Sequence, residues 1–208
     1  MLDGASVYRI AVVSAVGLGV GAVAALAAIA FVDAVLWLNE ALLVSDYARV
    51  RHDARPWLVD EATVAVPTLG GLVVGLVVHR WVAERRGLGP PDAILIAQTR
   101  QPPPSLASGL ASTLAALVSL GSGASVGQYG PLVYLGTMVG ALAGRLETRV
   151  RDLRAIAVAC GVASAIATAF NAPIAGLVFA HEVVLRHYSL RAFAPVAVAA
   201  ATGHVVAN

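Results

Sequence analysis

The segment Leu120–Arg145, LGSGASVGQYGPLVYLGTMVGALAGR, determines how the rest of the chain is interpreted. Very small residues open it, and Gly127, Gly130 and Pro131 follow. Because proline is tolerated in the first turn of a helix, where its missing N–H would have no intrahelical partner, the pattern predicts a helix that begins near Gly130–Pro131. Residues four apart lie on one helix face, so a run of glycines at that spacing predicts close contact with another backbone. The glycines in question are Gly136, Gly140 and Gly144.

The loop before this helix has the character of an anion-binding segment. Its glycines leave backbone N–H groups uncovered, and the positive end of the helix dipole points to the same place. In a very apolar chain, such a helix N-terminus can hold an anion without a full positive charge. The segment therefore predicts anion binding by backbone groups around Gly127–Pro131.

The composition indicates a polytopic membrane protein. Only 12% of the 208 residues are charged, and the mean hydropathy is +0.81; soluble domains carry about 25% charged residues. Each uncharged run is long enough for one span of about 20 residues, and the second is long enough for two. These runs are Ile10–Val32, Gln101–Gly144 and Ala155–Ala180. We predict a single all-α transmembrane domain over residues 1–208, multi-pass in the cell (inner) membrane.

The apolar segments also predict the order of the helices. They are expected over Val7–Leu43, Ala62–Trp81, Ser105–Leu120, Ala155–Thr168, Ile174–Leu185 and Ala192–Val206, in addition to the helix described above. Asp46–Glu61 is expected to be a polar loop. Gly87–Pro91, GLGPP, precedes the apolar segment Ala93–Ala97, which is too short to span a membrane. Interrupted segments of this kind indicate a transport site, and the alternative is a plain surface loop.

Several classes of function are disfavoured by the side chains present. The formal net charge of +2 is too small, and the aromatic residues are too few, to indicate nucleic-acid binding. The spacing of the histidines matches no metal motif, so no metal and no cofactor are expected. Cys160 stands alone in an apolar run and is expected to be a small buried hydrophobic residue.

One sequence pattern is compatible with an enzyme. Gly123–Gly127 fits the G-x-S-x-G sequence of a nucleophile elbow, which requires a strand before the serine and a helix after it. A segment rich in alanine and leucine precedes Ser125 instead. Intramembrane serine hydrolysis therefore stays a remote alternative, and the chain is not expected to be an enzyme.

Glu182 is a carboxylate within an apolar segment, beside His181. Ionisable residues in membrane spans indicate function by default, which here would be a proton or ion relay. The alternative is a structural carboxylate that accepts backbone N–H bonds or lies near the interface. The sequence leaves both interpretations open.

The residues identified so far resemble those of the CLC chloride channels and proton/chloride antiporters. Ala169–Glu182, AFNAPIAGLVFAHE, is closely similar to the corresponding family segment and is the most specific match. Leu120–Arg145 resembles the family helix that begins G-(K/R)-E-G-P, and Gly87–Pro91 stands where the family has G-S-G-I-P. The first helix, ending AFVDAVLWLNE at Glu40, is also similar. The likeness covers nearly the whole chain and corresponds to the first (N-terminal) repeat of the family.

The resemblance implies tilted and broken helices belonging to one of two inverted repeats, with helix N-termini that meet an anion. Carried onto this chain, it implies an anion site formed by Gly87, Leu88, Gly89, Gly127, Gln128, Tyr129, Gly130 and Pro131. Tyr129 stands at the gating position.

Four departures from the family pattern bear on function. Tyr129 replaces the gating glutamate, and a phenol with an ordinary pKa of about 10 stays neutral. Leu88 replaces the anion-binding serine, and Pro90 removes a backbone N–H. Glu182 is followed by Val183, whereas proton-coupled members carry two adjacent glutamates there, so the position of the inner relay is apolar. Finally, only one repeat is present.

These features lead to the hypothesis of passive chloride transport, without proton coupling, through a bilayer. Chloride or a similar small anion would be the ligand, and a homo-oligomer or a partner that supplies the second repeat would complete the pathway. The alternative is a non-conducting degenerate half that acts as a membrane scaffold or subunit. Insertion of identical copies in both orientations is a third, less favoured alternative. The arginine clusters at Arg80–Arg86 and Arg145–Arg154 indicate a bias between the two sides of the membrane, but the loop at Arg49–Arg55 opposes this bias if it lies outside.

Overall fold

The structure, a computed structural model of the chain, describes residues 4–43, 56–99, 103–145 and 152–208. These residues form helices and no strands. The helices are α1 (Gly4–Leu42), α2 (Pro56–Trp81), α3 (Pro90–Gln98), α4 (Leu106–Gly121), α5 (Tyr129–Ala143), α6 (Leu153–Phe170), α7 (Pro173–Phe179), a π-helical turn (Ala180–Leu185) and α8 (Leu190–Ala207). The prediction of an all-α fold is confirmed.

Three helices are long and apolar enough to cross a membrane, within Ala11–Leu42, Thr63–Trp81 and Leu153–Phe170. Large apolar side chains on α2 are exposed, among them Val64, Leu69, Leu72, Val73 and Leu76. Soluble proteins bury such side chains or expose them singly, so a helix that exposes them along its length is typical of a membrane protein. The chain is an all-α polytopic membrane protein.

Two sequence predictions differ from the structure. The polar loop expected to extend to Glu61 falls partly on residues 44–55, which lie outside the described residues, and α2 already begins at Pro56. Proline at the first helical position loses no hydrogen bond, which explains that start. Second, the helix predicted over Ile174–Leu185 is not regular throughout, because its last six residues, Ala180–Leu185, form the π-helical turn.

The chain divides into two compact units, and we describe each separately. The first unit comprises Met1–Ile29, Leu88–Pro104 and Tyr129–Asn208. Its centre is α6, which is buried continuously from Ile156 to Ala167. A helix that is apolar all round suits this central position, since it has neighbours on every side.

The closest packing in the first unit joins α5 to α6. A Cβ atom on Gly136 would overlap the carbonyl group of Gly161, and one on Gly140 would overlap the backbone of Ala157 and Val158. The reverse also holds, since a Cβ on Gly161 would overlap the carbonyl oxygen of Gly136. The predicted face of glycines is therefore confirmed as a contact between two helix backbones.

Two other helices pack around α6 in the same unit. The Ser164 hydroxyl on α6 donates to the Gly21 carbonyl of α1 at 2.6 Å, and Ser164 is fully buried. The Thr168 hydroxyl donates to the Gly203 carbonyl of α8 at 2.9 Å. Gly203 lies against Ser164, where a Cβ atom would be 2.5 Å from the hydroxyl oxygen. Small residues thus allow hydroxyl groups to join three backbones inside the apolar interior.

The second unit comprises Ala30–Gly87 and Ser105–Gln128. Ser108, in the first turn of α4, accepts a hydrogen bond from the Ala83 N–H at 2.8 Å and donates one to the Glu84 carboxylate at 2.8 Å. At the other end of α4, the Asn39 amide of α1 donates to the Leu120 carbonyl at 3.3 Å. These bonds fix both ends of α4 to its neighbours in the unit.

We expect Gly136→Ala to lower the free energy of unfolding by about 1–3 kcal/mol, because the added Cβ forces apart two backbones that cannot yield as a side chain can. The matched control is Gly19→Ala on α1, where a Cβ would meet no atom within 4 Å. Alanine there should be neutral or stabilising, by up to about 1 kcal/mol, because it favours the helix. Unfolding of the purified protein in detergent measures both, and equal effects would contradict the packing.

Candidate functional site

The beginning of α3 is capped by one of its own side chains. The Asp92 carboxylate accepts a hydrogen bond from the Gly89 N–H at 2.9 Å. The N–H groups of Asp92 and Ala93 both donate to the Gly89 carbonyl, at 3.0 and 3.2 Å. The two residues between, Pro90 and Pro91, have no N–H. The carboxylate is consequently held at the positive end of α3, where the helix dipole stabilises it.

The beginning of α5 lies beside the beginning of α3. A Cβ atom on Gly130 would be 3.9 Å from Cδ of Pro90, and both residues belong to the first unit. The two helices therefore start at the same place, which places the segments Leu88–Pro90 and Tyr129–Pro131 near one another. Leu88, where the resemblance would have a serine, is 6% exposed.

Three of the predicted anion-binding residues belong to the second unit. Gly87, Gly127 and Gln128 precede these two helix starts in the sequence. Gly127 has a φ of +76°, a left-handed conformation that favours glycine, and a Cβ there would meet nothing within 4 Å. The chain at Gly127 is thus turned before α5 in the manner expected of a glycine loop.

The Tyr129 side chain begins α5 and packs against α7. Its ring meets the ring of Phe179 edge to face, with centroids 5.6 Å apart. Tyr129 remains 39% exposed, so the contact orients the phenol without enclosing it. An aromatic pair of this geometry contributes roughly 0.5–1.5 kcal/mol beyond the area it buries.

Glu182 lies in the π-helical turn and is exposed. Its carboxylate accepts a hydrogen bond from the Tyr188 hydroxyl at 3.0 Å. The pKa of that phenol is raised by partial desolvation, and the hydrogen bond and the negative charge of Glu182 raise it further. Val183 follows, so the turn offers one carboxylate where the resemblance would allow two.

His181 is the residue beside Glu182 that the sequence did not single out as a site. It is fully buried, and its ring stacks on Tyr188 and on Phe193, with centroid separations of 5.2 and 5.7 Å. Nδ1 lies 3.2 Å from the His187 carbonyl, which can only accept, so Nδ1 carries the proton. Nε2 is buried and has no hydrogen-bond partner among the described residues.

The remaining residues that the sequence analysis considered lie in different parts of the fold. Ser125 lies in the loop between α4 and α5, and the described segment before it is a helix rather than the strand that a nucleophile elbow requires. Cys160 is buried, as predicted. Within the described ranges, His, Cys, Asp and Glu form no group of three that could hold a metal ion.

Asp92 is the site residue that sequence reasoning missed, although a local signal was available. An acidic residue three positions after the residue that begins a helix is the usual partner in a capping box, and GPPD at Gly89–Asp92 has that spacing.

We expect His181→Phe to leave the stability unchanged or to raise the free energy of unfolding by about 1 kcal/mol. Phenylalanine preserves the stacked rings and removes the buried Nε2, which lacks a partner among the described residues and by itself costs roughly 1–3 kcal/mol; this gain offsets the loss of the Nδ1 hydrogen bond to the His187 carbonyl, which is worth about 1 kcal/mol. The control is Ser164→Ala, which removes a buried group with a partner and should be destabilising by about 1–2 kcal/mol. A loss of stability in His181→Phe larger than that in Ser164→Ala, measured by unfolding in detergent, would contradict an Nε2 without a partner, because the Nδ1 bond alone does not account for so large a loss.

Comparison with known proteins agrees with the resemblance. A sequence model of the family described as voltage gated chloride channel matches residues 70–208. A Ralstonia nicotianae protein named as ClcB-like is 34% identical over 196 residues, covering 90% of this chain and 44% of the relative. The voltage-gated ClC-type chloride channel ClcB of Escherichia coli is 29% identical over 194 residues, covering 91% of this chain and 45% of the relative.

The chain spans less than half the length of these relatives, and the matched region includes the starts of both α3 and α5. The names of the family and of the relatives describe channels, which agrees with the prediction that the chain is not an enzyme. With its all-α membrane fold, adjacent helix starts and family match, the chain belongs to the voltage-gated chloride channel family, of which it carries a part.

Proposed function

We propose that the chain forms part of a passive pathway for chloride or a similar small anion across the cell (inner) membrane. The observation that carries the proposal is the first turn of α5, which begins beside α3 with Tyr129 as its first residue. A helix start attracts an anion through its free N–H groups and dipole. The residues proposed to contribute are Gly127, Gln128, Tyr129, Gly130 and Pro131, with Gly87, Leu88 and Gly89 shaping the neighbouring chain.

The same site supports transport without proton coupling. Tyr129 is a neutral phenol at the position where a carboxylate would carry a proton. In the π-helical turn, Glu182 is paired with Tyr188, and the next residue, Val183, cannot bind a proton. We infer that no continuous series of carboxylates accompanies the anion.

Completion of the pathway is proposed to require more than this chain. Its relatives are more than twice as long, and a second repeat, a further copy or a partner would supply the groups that face the start of α5 from the other side. The exposed apolar side chains of α2 would then lie against lipid or against that partner.

A second candidate is a non-conducting membrane subunit, and one observation favours it. The start of α3 offers no backbone N–H to an anion, because Pro90 and Pro91 have none and the Gly89 N–H is bonded to Asp92. A helix start that is satisfied internally is what a degenerate transport site would retain for stability alone.

Chloride efflux from liposomes tests the proposal, with valinomycin to clamp the voltage and the external pH recorded. We expect chloride efflux without proton uptake. Stoichiometric proton movement would contradict passive transport, and no efflux from folded protein would favour the subunit.

The role of Tyr129 is tested by a pair of variants of similar size. Tyr129→Glu places a carboxylate at the start of α5, where it competes with the anion, so we expect efflux at neutral pH to fall several-fold. The loss should reverse as the pH falls through the ordinary carboxyl range, with a pKa of about 4.3. Tyr129→Gln is neutral and should keep most of the efflux; equal losses in the two variants would contradict a charge effect.

A further inference from the structure

We propose that the end of α2 is a binding site for the phosphate headgroup of an anionic phospholipid. Arg80 and Arg85 are its cationic groups, and Trp81 is its aromatic anchor. The site lies entirely within the second unit, and it does not depend on the proposed anion pathway. The ligand is a lipid of the surrounding bilayer with a negatively charged headgroup, such as phosphatidylglycerol.

The first argument is the depth of this helix end in the membrane. The apolar segment of α2 that is long enough to span runs over Thr63–Trp81, and its large apolar side chains are exposed as far as Leu76. Trp81 is 62% exposed, and exposed tryptophans of membrane helices commonly lie at the level of the headgroups. The guanidinium group of the neighbouring Arg80 is thereby placed at the depth of the lipid phosphates.

The second argument is the charge that this segment presents. Arg80 and Arg85 are exposed, and neither side chain forms an ion pair or a hydrogen bond with a described residue. The acidic residue of the segment, Glu84, accepts a hydrogen bond from the buried Ser108 hydroxyl of α4 at 2.8 Å. Because that carboxylate is directed to α4, the two guanidinium groups keep donors for an external partner, and their planar shape suits phosphate oxygens.

The third argument is the backbone at Arg85. Its N–H donates to the Val82 carbonyl at 2.9 Å and closes the turn after α2, and its φ is +50°. This left-handed conformation favours glycine, which the chain uses at Gly123 and Gly127. Arginine is therefore kept at a position where its backbone is disfavoured and where no described residue contacts its guanidinium group through a polar bond. A ligand outside the chain accounts for both observations.

The expected size follows from the attraction of basic residues to an anionic membrane surface, which is roughly fivefold for each arginine. Water and salt screen exposed charges, so two arginines give less than the product of the two factors. We expect the site to prefer phosphatidylglycerol over phosphatidylcholine roughly tenfold.

Fluorescence of Trp81 measures this preference locally. The chain has three tryptophans, so Trp37→Phe and Trp57→Phe leave Trp81 as the reporter. The full-length variant is reconstituted in vesicles of phosphatidylcholine with brominated acyl chains, which quench a neighbouring tryptophan. Unbrominated phosphatidylglycerol is then included in increasing proportion. Recovery of the fluorescence at a roughly tenfold smaller proportion than with unbrominated phosphatidylcholine is the expected result.

Two substitutions separate lipid binding from structure. Arg85→Gly removes the guanidinium group and relieves the left-handed backbone, so we expect an unchanged or higher thermal unfolding temperature but a roughly fivefold weaker preference for phosphatidylglycerol. Arg85→Lys retains the charge and should retain most of the preference. If the single-tryptophan chain folds poorly, the rise in unfolding temperature on adding phosphatidylglycerol to the detergent gives the same comparison without the tryptophan substitutions.

The matched control is Trp37, another exposed tryptophan of the second unit, retained alone by Trp57→Phe and Trp81→Phe. The charged residues within one turn of it on α1 are acidic, Asp33 and Glu40, and both are exposed. We therefore expect no preference for phosphatidylglycerol at Trp37.

Each other result would overturn the site. An equal preference at Trp37 and Trp81 would show a general effect of net charge, and a preference that survives Arg85→Gly unchanged would remove Arg85 from the site. Equal quenching by the two lipids at Trp81 would mean that no anionic headgroup is selected there. Inorganic phosphate, added at constant ionic strength, should not alter the preference; its loss at millimolar phosphate would show a site for free anions instead of lipid.

Discussion

The close approach of the α5 and α6 backbones is the constraint on which the first unit depends. It exists because Gly136, Gly140 and Gly161 place no side chain between the two helices. Close packing of this kind is how helices associate in lipid, where burial of apolar side chains gives little gain. Because α6 is surrounded by its neighbours, fixing α5 against it also fixes the point at which α5 begins. The geometry of the proposed site is thus a consequence of glycines some two turns away from it.

The two helix starts at that point have opposite electrostatic character. The α5 start is preceded by the glycine loop at Gly127 and carries no acidic residue in its first turn. The α3 start carries the Asp92 carboxylate, whose bond to Gly89 satisfies the end of the helix from within. The positive ends of the α3 and α5 dipoles therefore point toward the same place, but the Asp92 carboxylate already compensates the α3 dipole.

The sequence was sufficient for most of the fold but not for this difference. Apolar runs and proline positions predicted where the helices lie, and the spacing of Gly136 and Gly140 predicted a backbone contact, because periodicity records which face is packed. The π-helical turn at Ala180–Leu185 was not predictable, because which carbonyl each N–H group bonds to depends on tertiary contacts such as the stacking of His181 on Tyr188. The capping role of Asp92 was missed for a different reason: the bond itself is local, but the capped start lies beside the start of α5 only because the fold brings α3 and α5 together.

A single attracting helix start is compatible with passive transport of an anion. An anion must be attracted strongly enough to enter and held weakly enough to leave. In an apolar interior, uncompensated N–H groups at two adjacent helix starts would favour strong binding, because the low dielectric constant strengthens every interaction. With the α3 start compensated by Asp92, only the α5 start attracts, and the proposed site is weakened without loss of its position. The replacement of a glutamate by Tyr129 would then leave the α5 start open, while the capped α3 start adds no second point of attraction.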